Sequence, residues 1–354
     1  MKVGLLTPNG LAVEDRPAPV PGPGEVVVRL AACGVCGTDL EKLRGNYRTS
    51  GKIGHEPVGV VRNVGSGVTG LAPGDRVFVH HHVPCGTCTV CRRGDPTFCP
   101  TYSKTNIDPG GFSEEFLVPA ENVRAGAVLR LAPTVDWDSG TLLEPAGCAL
   151  TALRKVGFRA GDSVFLVGLG PVGLLYARLA RALDAGWVGG AELAPSRRAA
   201  AERGGIDAVL DPRDPEAVVR AVMEATGDVG VDLAVVATGA PPALALAARL
   251  PRRGGTLNLF GLPEAGSRLD VDLQALYLHG TRVLPTYATT EREIADVHHL
   301  VAEGRLSVRD LVTDRFPVTE IAAAFDRAAR PDRAVKVTVT GPAFAEGSAP
   351  SDTH

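Results

Sequence analysis

From residue 1 to about 135, short apolar runs of β type at 26–30, 58–64, 76–80 and 115–118 are separated by turns rich in glycine and proline. Runs of that length between such turns predict an all-β region. Near residue 139 the period changes, and the apolar residues of SGTLLEPAGCALTALRKV recur at helical spacing. A strand-like run, SVFLVGLG, then enters a glycine turn. PVGLLYARLARALDA reads as an amphipathic helix, WVGGAEL as a second strand and SRRAAAERGG as a second helix that stops at glycine. The alternation continues through AVVRAVMEAT, DLAVVATG, PALALAARLP and TLNLFGL. Strand and helix in turn predict a doubly wound parallel sheet.

Two more helices, in TEREIADVHHLVAEG and VTEIAAAFDRAAR, and a strand, AVKVTVTG, close the pattern. The expected organisation is a β-rich domain over 1–150, an α/β domain over 151–285, a C-terminal segment over 286–341 and a disordered tail over 342–354, whose residues are small and polar. A chain of 354 residues agrees with about two domains, each able to bury its own core.

Charge and cysteine usage narrow the function. Thirty-seven Lys and Arg against 40 Asp and Glu leave a formal charge of -3, without the basic field that nucleic-acid binding draws on. The start, MKVGLLTPNGLAVEDRP, is broken by Pro8, Asn9 and Gly10, so no signal peptide is expected. The longest uncharged apolar stretch, 164–177, falls short of the ~20 residues that cross a bilayer. No nucleic-acid or membrane partner is therefore expected. Seven cysteines, four of them at 85, 88, 91 and 99, argue for a metal site in a reducing compartment rather than a disulfide framework. A cytoplasmic location follows.

Gly168, Gly170 and Gly173, in GLGPVG, fit the G-x-G-x-x-G turn of dinucleotide sites. The first glycine permits the tight turn, the second lets the backbone approach a pyrophosphate, and the third lets helix pack on strand. Phosphates would rest on the helix N-terminus, at Pro171 and Val172. Glu192 lies nineteen positions past Gly173, at the end of the next strand, where a carboxylate accepts from a ribose 2′-hydroxyl and repels a 2′-phosphate. NAD is thus favoured, with NADP as the alternative because Arg197 and Arg198 stand nearby. Arg197, and Thr238 and Gly239 at the end of DLAVVATG, complete the candidate cofactor contacts.

Cys85, Cys88, Cys91 and Cys99 read C-x2-C-x2-C-x7-C, a spacing from which four thiolates can close a tetrahedron around Zn2+. Such a site has no open position and is structural; an iron–sulfur cluster is the competing reading. His80, His81 and His82 precede it as the end of a strand, with one ring expected to look into the active cleft. Two other segments carry ligand chemistry, Gly34-Val35-Cys36-Gly37-Thr38-Asp39 and Gly54-His55-Glu56-Pro57.

Taken with the four-cysteine cluster and the glycine turn, the order of these segments resembles the zinc-dependent medium-chain alcohol and polyol dehydrogenases, across essentially residues 1–341. The resemblance implies an α/β protein: a GroES-like β-rich catalytic domain and a Rossmann domain, with the C-terminal segment completing the two. It matches Cys36 and His55 to catalytic zinc ligands, Glu56 to a carboxylate beside the metal and Glu144 to a further ligand position. Glutamate at 144 points to the sorbitol- and threonine-type branches. Two zinc ions per chain are implied, and Thr38 is matched to the hydroxyl that passes on the alcohol proton. The histidine that many relatives place five positions after the cysteine ligand is Glu41 here, so either Glu41 or water relays that proton.

The same residues make chemical sense together. Thiolate, imidazole and carboxylate hold Zn2+ while leaving a position for water or substrate, and Asp39 and Glu56 are suited to orienting the ligands. As a Lewis acid the ion favours an alkoxide, which expels hydride to nicotinamide. Cys33 and Cys148 match no ligand position and are expected to be buried.

The expected reaction interconverts a secondary alcohol of a polyol, sugar, cyclitol or aminocyclitol and its ketone. Lys104, Asn106 and Asp108 supply polar groups to a cleft also lined by Tyr47, residues 105–111 and Glu144. A threonine-like amino alcohol is the next substrate class, and a noncatalytic zinc-stabilised nucleotide-binding protein the alternative of another kind. A homodimer or homotetramer is expected, with 269–285 as the apolar edge.

Overall fold

The computed structural model describes residues 1–47, 51–263, 266–269, 272–330 and 332–345. The chain divides into two compact units, one built from Met1–Gly147, Thr289–Arg330 and the chain from Lys336 onward, the other from Cys148–Ala288 and Pro331–Val335.

The first unit is the β-rich one. Its larger sheet runs in the spatial order Val312–Pro317, Lys336–Thr340, Val26–Gly34, Pro57–Val64, Arg76–Val79, Val128–Arg130, and Glu115–Val118 also pairs with Val26–Gly34. Val26–Gly34 is buried along almost its whole length, because it packs on both faces and carries a near-continuous apolar run. Its own Val28 and Leu30, and Phe78 and Phe116 on other strands of the sheet, are fully buried. A hairpin of Lys2–Thr7 and Gly10–Asp15 forms a separate two-stranded sheet, which the apolar pattern did not single out. Short helices, among them Gly37–Leu43 and Trp137–Thr141, belong to this unit, and the longer Leu143–Val156 begins in it.

The second unit is a six-stranded parallel sheet in the order Ala208–Leu210, Trp187–Ala191, Ser163–Val167, Val231–Val236, Pro251–Leu259, Arg282–Pro285. Phe165, Val167, Val222, Val236 and Leu257 make its core. The helix after Ser163–Val167 starts with Pro171 at its first position and runs to Ala182; the next, Pro195–Arg203, is capped by Gly204. These are the start and stop chemistries of an α/β repeat.

One boundary differs from the sequence pattern. Pro342–Phe344 is a 3-10 turn with Ala343 fully buried, so the chain is packed past residue 341; the rest of the expected tail, 346–354, lies outside the described residues. Ala343 is apolar and follows directly on the sheet strand Lys336–Thr340, which carries it into the core.

Candidate active site

Cys36 is the N-cap of the helix Gly37–Leu43, and Asp39 at its third position returns to accept from the Cys36 amide at 3.2 Å. The other Asp39 oxygen accepts from the Gly54 amide at 3.3 Å and stands 3.5 Å from His55 Nδ1. One buried carboxylate therefore ties both ligand-bearing segments together. Burial opposes the Asp39 charge, but His55 and Lys42 outweigh it and hold the carboxyl down at about 2. In turn, burial disfavours charge on His55, yet Asp39 and Cys36 raise its pKa well above the ordinary value. Gly54 has φ +81°, and a Cβ there would stand 2.7 Å from the Phe112 amide, so only glycine fits beside His55.

Ligand-type atoms of Cys36, His55 and Glu56 all lie within 4.8 Å of one another. Glu56 is fully buried and its Oε1 has no hydrogen-bond partner. A buried carboxylate oxygen left open beside a thiol and an imidazole fits a divalent cation. Glu144 is buried in the first turn of Leu143–Val156 but is not one of the three; its charge acts on Glu56 and on Lys336. Thr38 Oγ1 lies 3.7 Å from Cys36 Sγ, at the same mouth.

The three histidines divide. His80 is buried with Nδ1 2.7 Å from Glu291 Oε1, and His82 Nδ1 bonds to the Thr105 carbonyl. His81 is the ring beside the ligand cluster, its centroid 5.1 Å from that of His55 and 3.9 Å from that of His82. Burial keeps both His81 and His82 neutral, His82 with a pKa lowered to about 4. Asp108 turns elsewhere: it is exposed and pairs with Lys52 at 2.7 Å, and its backbone is bridged to Leu117. Lys104 is likewise exposed. Glu41 is held by Arg44 at 2.6 Å and by Asn46 at 2.7 Å, and these partners, Asn46 first, lower its pKa.

In the lobe the four cysteine sulfurs converge. Cys88 Sγ is 3.5 Å from Cys91 Sγ and 3.8 Å from Cys99 Sγ, and Cys99 Sγ is 3.5 Å from Cys85 Sγ. Sulfurs bound at about 2.3 Å to one tetrahedral ion stand about 3.8 Å apart. Amides of Cys85, Cys88, Cys91 and Thr101 point at these sulfurs at 3.4–3.5 Å, and no cysteine is in a disulfide. Cys33 is fully buried, while Cys148 is only half-buried.

In the second unit, Gly168 has φ +102° and a Cβ on Gly173 would meet the Gly168 carbonyl at 2.1 Å, so both glycines are demanded by the turn. Glu192 is buried against this turn: its carboxylate accepts from the Leu169 amide and the Ala194 amide, each at 2.9 Å. Each oxygen keeps a lone pair for a ribose hydroxyl. Arg197 lies over the turn, its Nη1 3.4 Å from a Cβ built on Gly170, whereas Arg198 is occupied by the carbonyls of Glu192 and Leu193. Thr238 borders the same turn, 3.4 Å from a Cβ on Gly168, and Gly239 packs under the Leu262 carbonyl.

Lys336 was not legible as a site residue. It is 2% exposed, with Nζ 2.5 Å from Glu56 Oε2. Burial works against its charge, but Glu56 and Cys36 keep its pKa raised. The only local sign is a lysine in the apolar strand that ends the chain's pattern.

Residues 22–127 match the family model for the alcohol dehydrogenase GroES-like domain, and residues 171–303 the model for zinc-binding dehydrogenases. L-threonine 3-dehydrogenase of Pyrococcus abyssi is 33% identical over 318 residues, 87% of this chain and 88% of that protein. Sorbitol dehydrogenase of Bacillus subtilis is 29% identical over 335 residues, 90% of each chain. Among solved structures, alcohol dehydrogenase TADH from Thermus sp. ATN1 is similar with a TM-score of 0.84 and 29% identity, over 96% of this chain and 100% of that one.

Proposed function

From a chain that belongs to the zinc-dependent medium-chain dehydrogenase family, we propose an enzyme that interconverts a secondary alcohol of a polyol, sugar, cyclitol or aminocyclitol and the corresponding ketone, with NAD as hydride acceptor. The family uses zinc and NAD(P), and the general activity is that of an alcohol dehydrogenase. What carries the reading is the cluster of Cys36, His55 and Glu56, with a buried carboxylate oxygen left open.

When bound, zinc supplies Lewis-acid polarisation of an alcohol oxygen and nicotinamide supplies the hydride acceptor. Cys36, His55 and a carboxylate, Glu144 or Glu56, would hold the ion; the four cysteines of the lobe would hold a second one. Asp39 Oδ1, 3.5 Å from His55 Nδ1, faces that nitrogen and favours Nε2 as the one that would hold the metal. Thr38 takes the alcohol proton at Oγ1 and hands it to solvent. Because Glu41 already serves Arg44 and Asn46, water is the relay. Glu41→Gln is therefore expected to keep the wild-type pH profile of turnover, and a displaced limb of about one unit or more would assign the relay to Glu41.

Glu192 is read as the selector for NAD. Glu192→Ser should lower the ratio of NAD to NADP efficiency about tenfold or more, the worth of a hydrogen bond to a charged group. An unchanged ratio would remove that role, leaving Arg197 over the turn as the group that decides.

The polyol class is supported by the sorbitol-acting relative and by neutral imidazoles beside the ligand cluster, which can both donate and accept. The threonine-acting relatives favour a second reading, an amino alcohol. NAD reduction measured against polyols, aldoses, cyclitols, aminocyclitols and threonine separates the two. Good turnover of simple alcohols with negligible rates on every polyhydroxylated compound would overturn the proposed class.

The reading extends to a reducing, cytoplasmic setting, where the lobe's thiols stay free; among the described residues no helix is long and apolar enough to cross a membrane. Arg282–Pro285 is the edge strand of the described sheet, and Leu273 and Tyr277 on the preceding helix Leu273–His279 are 74% and 84% exposed, which favours a homo-oligomer built on this part of the unit.

A further inference from the structure

We infer that the second unit carries a binding site for a phosphate group at the end of its sheet opposite the glycine turn. A cavity of about 260 Å3 lies where the strands Ser163–Val167, Val231–Val236, Pro251–Leu259 and Arg282–Pro285 begin, and Arg159, Arg252 and Arg282 line it together with Asp162, Asp232 and Thr256. Asp162 precedes the first residue of Ser163–Val167 and Gly168 follows its last. A strand of that length spans about 16 Å. Dinucleotides sit beyond the carboxyl ends of parallel strands, so this cavity is not the cofactor crevice.

Charge sets what the cavity can take. Both carboxylates are already engaged: Asp162 accepts from the Arg159 amide at 2.8 Å, and Asp232 accepts from the Ser163 amide, the Ser163 hydroxyl and Arg252 Nε at 2.8, 2.7 and 2.6 Å. Among the described residues the guanidinium groups of Arg159 and Arg282 have neither an ion pair nor a hydrogen bond. One positive charge is left over on one cavity, carried by planar forks. Such forks match the oxygens of a phosphate two at a time, which a point charge does not.

The floor adds a donor. Thr256 pairs in register with Leu233 on one side and Arg282 on the other, so the three side chains leave the same face of the sheet, and all three line the cavity. Thr256 is 2% exposed and its Oγ1 has no hydrogen-bond partner. A buried hydroxyl in that state is uncommon, and a phosphate oxygen seated on the floor would accept from it. Gly254, at φ +72°, keeps the wall beside Arg252 free of a side chain: a Cβ there would stand 3.4 Å from Arg252 Nη1.

Equilibrium dialysis of full-length, metal-loaded protein against labelled inorganic phosphate tests this, at constant ionic strength and with NAD and NADP present to fill the glycine turn. Wild type is expected to bind one phosphate per chain with a Kd of about 1 mM or tighter. Displacement by glycerol 3-phosphate at lower concentration than by unlabelled phosphate would assign the site to a phosphomonoester, and equal displacement to the free ion. Arg159→Ala with Arg282→Ala should weaken binding about 100-fold, roughly tenfold for each charged hydrogen-bond partner removed. That variant should keep wild-type turnover, because neither side chain belongs to the ligand cluster or the glycine turn. Arg159→Lys with Arg282→Lys keeps the charge, loses the forks and should weaken binding about tenfold. Arg16→Ala, on the hairpin of the first unit, should change nothing. No bound phosphate in wild type, or wild-type affinity in the double alanine variant, would overturn the inference. So would an equal loss from Arg16→Ala, which would show attraction to the charge of the whole molecule.

Discussion

Cys36→Ala is expected to lower turnover by about 1,000-fold or more, because Lewis-acid polarisation of the substrate oxygen is worth several kcal/mol of barrier. The protein should still fold, since Cys36 is half-buried at a helix N-cap and the sheet beneath it is held by Val26–Gly34 and Pro57–Val64. Metal content separates the causes. The variant should retain one zinc per chain where wild type is expected to carry two. Loss of activity with both ions retained would mean that Cys36 is not a ligand, and full activity would remove the metal from the chemistry of this site.

Cys88→Ser is expected to leave turnover chemistry in place and to collapse the lobe. Its α-helix, Thr89–Arg92, has four residues and none of them buried, far below the length at which a helix stands alone. What holds the lobe is the convergence of four sulfurs, and structural zinc binding is worth roughly 10 kcal/mol in small domains that fold around it. Amide exchange at Cys91, Arg92, Arg93 and Gly94, whose amides bond back within the lobe, should rise about 1,000-fold or more as local opening becomes the populated state. The amides of Val26–Gly34 should keep their protection. Unchanged exchange in a variant short of one zinc would show that the lobe stands without its ion.

Short-range chemistry was readable from the chain. A tetrathiolate lobe closes over fifteen positions, and the turn Gly168–Gly173 closes over six, so spacing alone carries their geometry. The glycines are forced by contacts a few residues away, such as Gly173 on the Gly168 carbonyl. The α/β alternation was likewise visible, because each strand and helix shows its own period. Less legible were the partners of polar groups. Asp108 reads like a cleft residue beside Asn106, but its backbone is bridged to Leu117 and its carboxylate pairs with Lys52. Glu192 reads as a ribose ligand, and the fold also makes it the brace of the glycine turn.

The sequence by itself determined the two kinds of unit, the places where metal and dinucleotide chemistry is carried, and the family. All of these depend on residue type and local period. Only the tertiary structure decided which inward polar groups meet: His80 with Glu291, 211 positions apart, and Glu56 with Lys336 beside Gly34. Such pairs form because elements far apart in the chain pack together and bring desolvated groups into contact. A buried charge must find a partner wherever the fold provides one.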